Sequence, residues 1–128
     1  MSNLTDRIGG ARTSLAAKAP CRVATTANIT LSGYQTIDGV ALAAGDAVLR
    51  VLVKDQTDTT ENGIWDAGPT AWTRSKDCNR SDDLQNGTMV YAGAGTVGTG
   101  WYRCVGTDPI VIGTSAMRPM ESKSSITL

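Results

Sequence analysis

The sequence contains no histidine and no phenylalanine. Without histidine, the commonest general base, the commonest metal ligand and the middle member of a Ser/His/Asp triad are all missing. Without phenylalanine, aromatic bulk must come from three Trp and three Tyr. Burial in the core is therefore the plain reading of Trp65, Trp72 and Trp101, and a sugar-stacking face on a rigid strand scaffold is the alternative. Charge of either sign is not in excess: Lys plus Arg and Asp plus Glu both number 12, for a formal net charge of zero. A chain without a basic excess has no electrostatic footprint for a phosphate backbone, so nucleic acid is not an expected partner. No run approaches the ~20 apolar residues of a membrane span, so no membrane is expected either. The opening MSNLTDRIGG lacks the charged-then-apolar plan of a secretory signal, which points to synthesis in a cytoplasm. Cysteine is scarce: Cys21, Cys78 and Cys104 are too few and too scattered for a disulfide framework or a zinc site. Small reduced core residues are the plain reading, and the odd count leaves a thiol for a bond to a neighbouring copy.

What is present reads as one domain. The chain has 128 residues, 41% of them hydrophobic, enough to bury a single core. Residues 1–20 differ from the rest. Leu4, Ile8, Ala11 and Leu15 recur at the spacing that lines one face of a helix. Gly9 and Gly10 interrupt that pattern at a cost of roughly 1 kcal/mol each relative to Ala, and Pro20 ends any helix by about Lys18. So short an amphipathic segment needs something to pack against. The division expected is an N-terminal docking arm or short helix over 1–20, with Leu4, Ile8 and Leu15 as its interface, and a β-rich module over 21–128. From Cys21 onward Val, Ile and Thr dominate short runs, and Gly, Asn, Asp and Pro punctuate them. This spacing predicts an all-β domain, a compact antiparallel sandwich or barrel of short strands. Asp38-Gly39 predicts a hairpin turn between 34–37 and 40–42. In AVLRVLVK (47–54) Leu49, Val51 and Val53 share one face and Arg50 and Lys54 the other, as in a half-buried strand. Residues 63–67 and 71–74 pair across Gly68-Pro69-Thr70, residues 88–92 and 101–105 flank a glycine-rich loop, and 110–112 forms a further strand.

That glycine-rich loop spells G-x-G-x-x-G through Gly93, Gly95 and Gly98, the fingerprint of a dinucleotide-binding turn. A true fingerprint needs its third glycine to open a helix and an acidic residue about 20 positions on. Here Gly98 leads into β-branched and aromatic residues, and the later position is Arg118. The stretch is read as a flexible hairpin loop, with no nucleotide and no other cofactor expected. Residues 54–63 hold Asp55, Asp58 and Glu61, three apart, without the ligand register of a calcium loop, and a solvated loop ending in the turn Asn62-Gly63 is preferred. Asp77, Asp82 and Asp83, interleaved with Lys76 and Arg80, give no reason for the unequal pKa values that a glycosidase pair requires. The Asn-x-Ser/Thr triplets at Asn3, Asn28, Asn79 and Asn86 carry no meaning without a secretory route. No catalytic residue and no metal ligand is assigned, and an enzyme is not expected.

Several blocks of wording go further than composition does. AKAPCRVATTANITLSG (17–33), QTIDGV (35–40), VLVKDQT (51–57), ENGI (61–64), AWTR (71–74) and PIVIGT (109–114) together strongly resemble, in order, a repeated module of tailed-bacteriophage tail-fibre and related virion proteins. The resemblance covers about residues 15 to 117. It implies a virion structural role without enzyme activity: a β-rich module in fibres or other appendages, commonly trimeric, contacting other tail, neck or capsid proteins. Departures from the pattern are the insertion of Ala47-Val48-Leu49, the charge at Trp65-Asp66, and an end at Leu128 with no shaft or receptor-binding tip. The last of these brings in a capsid decoration protein as the alternative to an appendage component, and a carbohydrate-binding adhesin that takes a host glycan as a second. In either structural role the arm is the expected anchor, and Cys21, at the junction of arm and module, is the expected intermolecular thiol.

Overall fold

In the computed structural model the described residues are 17–80, 83–106 and 110–113, together with the backbone of the strand Arg118–Ser122. They are mostly β, with no α-helix and nine short strands: β1 Val23–Ala24, β2 Thr36–Ile37, β3 Val40–Ala41, β4 Arg50–Val53, β5 Gly63–Asp66, β6 Thr73–Arg74, β7 Met89–Ala92, β8 Gly100–Val105 and β9 Arg118–Ser122. They form a four-stranded sheet in the order β1-β4-β5-β6, a β2-β3 hairpin and a three-stranded sheet β7-β8-β9. None of these sheets closes on itself among the described residues.

The central strand is β4, whose Val51, Leu52 and Val53 are all fully buried. The half-buried strand expected from alternation is therefore corrected: this strand is covered on both faces, which explains its unbroken apolar run. Leu52, its β1 partner Ala24 and its β5 partner Ile64 pack with Val90 and Ala92 of β7 and Tyr102 and Cys104 of β8. Val51 and Val53 look the other way. They join Val23 and Trp72 in a second cluster with Ile37, Val40 and Leu42 of the β2-β3 hairpin and its flank. The four-stranded sheet thus separates two apolar clusters, one shared with β7-β8 and one roofed by the hairpin. Burying a Leu or Val fully stabilises by about 1.5–3 kcal/mol relative to exposure, so β4 anchors both.

The hairpins fall where the turn chemistry places them. Asp38 and Gly39 both have positive φ, 48° and 85°, as the turn that matches strand twist requires. Beyond it, β5 pairs with β6 from Trp65↔Arg74 to Asp66↔Thr73, and β7 with β8 from Met89↔Arg103 to Ala92↔Gly100. The strand expected over 110–112 is not formed. Ile110 enters the core as a loop residue, 1% exposed, and the third strand of that sheet is β9, bulged against β8 between Arg103 and Val105.

The chain before β1 joins the two sheets. Residues 17–21 lie parallel to β7 through the bridges Ala17↔Met89 and Cys21↔Ala92. Two residues later the same segment, now β1, runs parallel to β4. Ala17 is thus extended, not helical, where the sequence reading ended a helix near Lys18. Leu4, Ile8 and Leu15 lie outside the described residues.

Candidate functional site: a filled anion nest, a polar clamp and a surface cavity

The G-x-G-x-x-G loop does enclose an anion, and the anion belongs to the protein. At the tip of the β7-β8 hairpin the backbone N–H groups of Thr96, Val97 and Gly98 converge on the Asp38 carboxylate, donating to Oδ2 at 3.0, 3.0 and 2.7 Å. Successive N–H groups aimed at one point form a concave anion site of the kind that holds phosphates elsewhere. The glycines serve this geometry. Gly95 has φ 115°, and a Cβ there would run into the carboxylate, while Gly98 packs against Asp38 Oδ2 and Tyr102 Oη. Tyr102 Oη in turn donates to the Gly98 carbonyl at 2.6 Å. Hydrogen bonds from Gly98 first, then from Val97 and Thr96, hold the Asp38 carboxyl below the usual carboxylate range. The flexible loop of the sequence reading is a clasped one, and Val97 at its tip stands 79% exposed.

A second polar centre gathers around two buried side-chain amides. Gln56 is 4% exposed and Asn62 is fully buried. The Gln56 side chain accepts from Ile29 N at 2.9 Å and donates to Ile29 O and to Glu61 Oε1, both at 3.0 Å. Asn62 Oδ1 accepts from Gln56 N, Asn28 Oδ1 from Thr57 N, and Thr25 Oγ1 from Lys54 N. Arg74 donates to the carbonyls of Thr60 and Asn62 and stacks over the Trp65 ring at 4.5 Å. The Trp72 indole N–H reaches Gly33 O across 39 residues of sequence. These bonds fasten two long loops to the central sheet, so that each buried amide meets a partner instead of leaving a backbone group orphaned.

The acidic loops are accounted for by local bonds. Asp58 caps the short 3-10 turn Thr59–Glu61 by accepting from Thr60, and those bonds lower its pKa. Asp77 takes a bidentate pair from Arg50, both bonds at 2.7 Å, and Asp83 accepts from the N–H groups of Asn79 and Arg80. Among the described residues no group of three or more His, Cys, Asp or Glu is placed to hold a metal ion. Lys18 is buried, and its Nζ has no hydrogen-bond partner among the described residues. Burial lowers its pKa against the opposing pull of Asp77, Cys78 and Asp83.

Cys21 is 3% exposed, and burial pushes its thiol up to about 12. All three cysteines are free and buried. A thiol in that environment is neither ionised nor presented to solvent, which are the two conditions for ready exchange with another chain. Next to it, a surface cavity of about 420 Å³ opens between Pro20, Ala47, Val48 and Ala94, with Arg22 and Asp46 on its wall. Those two form an ion pair at 2.5 Å. Val48 is itself 44% exposed. Of the three tryptophans, Trp72 is buried at 5%, Trp65 lies under Arg74, and Trp101 packs on Tyr91 at 5.3 Å between ring centroids.

Neither the clasp nor the cavity leaves a local sequence signal, because each joins residues far apart in the chain. No protein-family model, no curated protein and no solved structure matches this chain.

Proposed function

We propose that this chain is a structural module of a bacteriophage virion, of the tail-fibre or appendage type, that works by assembling with copies of itself and with other virion proteins. In this reading it performs no chemistry, takes no cofactor, and is found on the particle after synthesis in the host cytoplasm. Its two open sheets, sharing the cluster of Leu52, Val90 and Tyr102, act as a sandwich that keeps its shape under load. Three copies form the working unit.

One observation carries the reading. Four of the six blocks that resemble phage appendage modules are segments that the polar clamp ties to one another, and a fifth closes the nest. Asn28 and Ile29 from ANITLSG bond to Gln56 and Thr57 from VKDQT. Gln56 bonds to Glu61 and Asn62 from ENGI, and Arg74 from AWTR bonds back to Asn62. Asp38 from QTIDGV fills the nest at residues 96–98. Wording shared with a structural module thus lies at the joints of a rigid fold, as it would where the product of the sequence is a shape.

The test is gold-labelled antibody against this chain on purified phage particles, together with mass spectrometry of the same particles. Label at the tail or neck is the expected result. Label spread over the head reassigns the chain as a decoration protein, and absence from the particles by mass spectrometry overturns the virion role.

A further inference from the structure

The segment that crosses from β7 to β1 carries a lysine where its packing calls for an apolar side chain. Of residues 17–21 only Lys18 and Cys21 are buried, while Ala17, Ala19 and Pro20 are exposed. Lys18 is 6% exposed, and its Nζ has no hydrogen-bond partner among the described residues. The two acids whose charge reaches it are already engaged. Asp77 is taken by Arg50, whose fork fills both carboxylate oxygens, and Asp83 accepts from the N–H groups of Asn79 and Arg80. Charged or neutral, the amine gives up its hydrogen bonds to water on burial and receives none in exchange.

The rest of the segment does little to offset that loss. Backbone hydrogen bonds hold it to β7 and its flank, from Lys18 N to Met89 O at 2.8 Å, Cys21 N to Tyr91 O at 2.7 Å and Gly93 N to Cys21 O at 3.2 Å. Arg50 Nε adds a bond to Ala19 O at 3.1 Å. The residues that follow contrast with it: Val23 and Ala24 of β1 are fully buried and paired with β4. Few buried apolar contacts and a backbone near solvent mark the parts of a protein that open while the rest stays folded. The chain is thus firmly seated from residue 23 and loosely seated before residue 22.

We propose that residues 17–21 are a releasable strap, which the unpaired amine of Lys18 keeps loosely seated so that it lifts from β7 while both sheets stay formed. Lifting uncovers the Cys21 thiol. In the closed fold burial pushes that thiol up to about 12. In the lifted strap it returns to the ordinary value of about 8.5 and regains the reactivity of an exposed cysteine. Cys78 and Cys104 are fully buried on the 3-10 turn Lys76–Cys78 and on β8, and the strap gives them no such route. It gates one thiol of three. The inference stands apart from the virion reading and survives its failure.

Labelling of the full native chain with an aromatic disulfide, mapped by peptide mass spectrometry, tests it. The attacking thiolate forms a mixed disulfide with half of the probe, and the other half leaves as an aromatic thiolate. Cys21 reacts at least about tenfold faster than Cys78 and Cys104, at a rate that barely changes in low urea, where theirs climb steeply with global unfolding. Lys18→Met fills the same space with an apolar chain, removes the unpaired amine and slows labelling of Cys21 about tenfold. Hydrogen exchange in the wild type reads the same opening without a variant: the amides of Lys18 and Cys21 exchange ahead of that of Thr25, which is bonded to Leu52 O. Cys21 labelling that tracks Cys104 at every urea concentration overturns the inference. So does exchange at Lys18 and Cys21 no faster than at Thr25, or a folded Lys18→Met variant whose Cys21 reacts as fast as that of the wild type.

Discussion

The two polar centres solve one problem by opposite means. Both hold backbone N–H groups that no strand satisfies. The clamp does so with neutral amides, Gln56 and Asn62, in the interior, and the nest does so with an ionised carboxylate, Asp38, near the surface. Position dictates the choice. An isolated buried carboxylate costs far more to desolvate than an amide, whereas beside water a charged acceptor forms the stronger hydrogen bonds and keeps part of its hydration. The comparison teaches that the surface joint, which hangs on one carboxylate, answers to pH and salt more than the interior joint, whose backbone N–H groups meet amide oxygens.

The largest effect is expected at the interior joint. Gln56→Ala leaves the N–H and C=O of Ile29 without their partner and opens a hole, and destabilises by about 3 kcal/mol in urea denaturation. A loss below about 1 kcal/mol would show that water replaces the amide and that the clamp is not a joint. Gly95→Ala comes next, at about 2 kcal/mol, because its φ of 115° disfavours any side chain and the added Cβ meets the Asp38 carboxylate. Asp38→Asn follows, at about 1 kcal/mol after allowing for solvent screening, since the amide keeps an acceptor and loses the charge. Amide hydrogen exchange at Thr96, Val97 and Gly98 quickens in that variant and stays unchanged in Gln56→Ala.

Acid separates the joints further. The folded-state pKa of Asp38 is lowered, so its contribution is present above the ordinary carboxylate value of about 3.9 and is lost as the pH falls through the lower folded value. Hydrogen exchange at 96–98 therefore accelerates relative to Ile29 as the pH falls below about 4, and the acceleration is absent in Asp38→Asn. The smallest effect is that of salt. Raising sodium chloride to about 1 M, where the screening length falls to about 3 Å, weakens the nest by a few tenths of a kcal/mol and the clamp by less. Equal salt responses at the two sites would erase the distinction.

Much of the fold was legible because its turns are encoded locally. Asp38-Gly39 and the sequence around 93–98 announce hairpins whatever surrounds them. The reading of β4 failed where burial is decided by distant residues: Arg50 and Lys54 suggested a wet face, yet Arg50 is drawn to Asp77 and Lys54 lies over the Tyr102 ring. Ile110 signalled burial correctly and strand wrongly, since an apolar β-branched run reads alike in a core loop and in a strand. The G-x-G-x-x-G pattern truthfully reported a backbone that approaches an anion closely. That the anion is the carboxylate of Asp38, about 60 residues earlier in the chain, is a fact of tertiary structure that no local pattern holds.

The segment that crosses from β7 to β4 also sets an order of events during synthesis. Residues 17–21 find their backbone partners at 89–92, and residues 23–24 find theirs at 51–52. Contacts so far apart close slowly. On the ribosome the β4-β5 hairpin can form as soon as it emerges, but the first pairs of the segment must wait until β7 has left the exit tunnel, by which time most of the chain has been made. At about 5–20 residues per second, residues 17–21 wait several seconds for β7. Chaperones of the cell that makes it meet the protein in that interval, with residues 17–21 still free to bind something else.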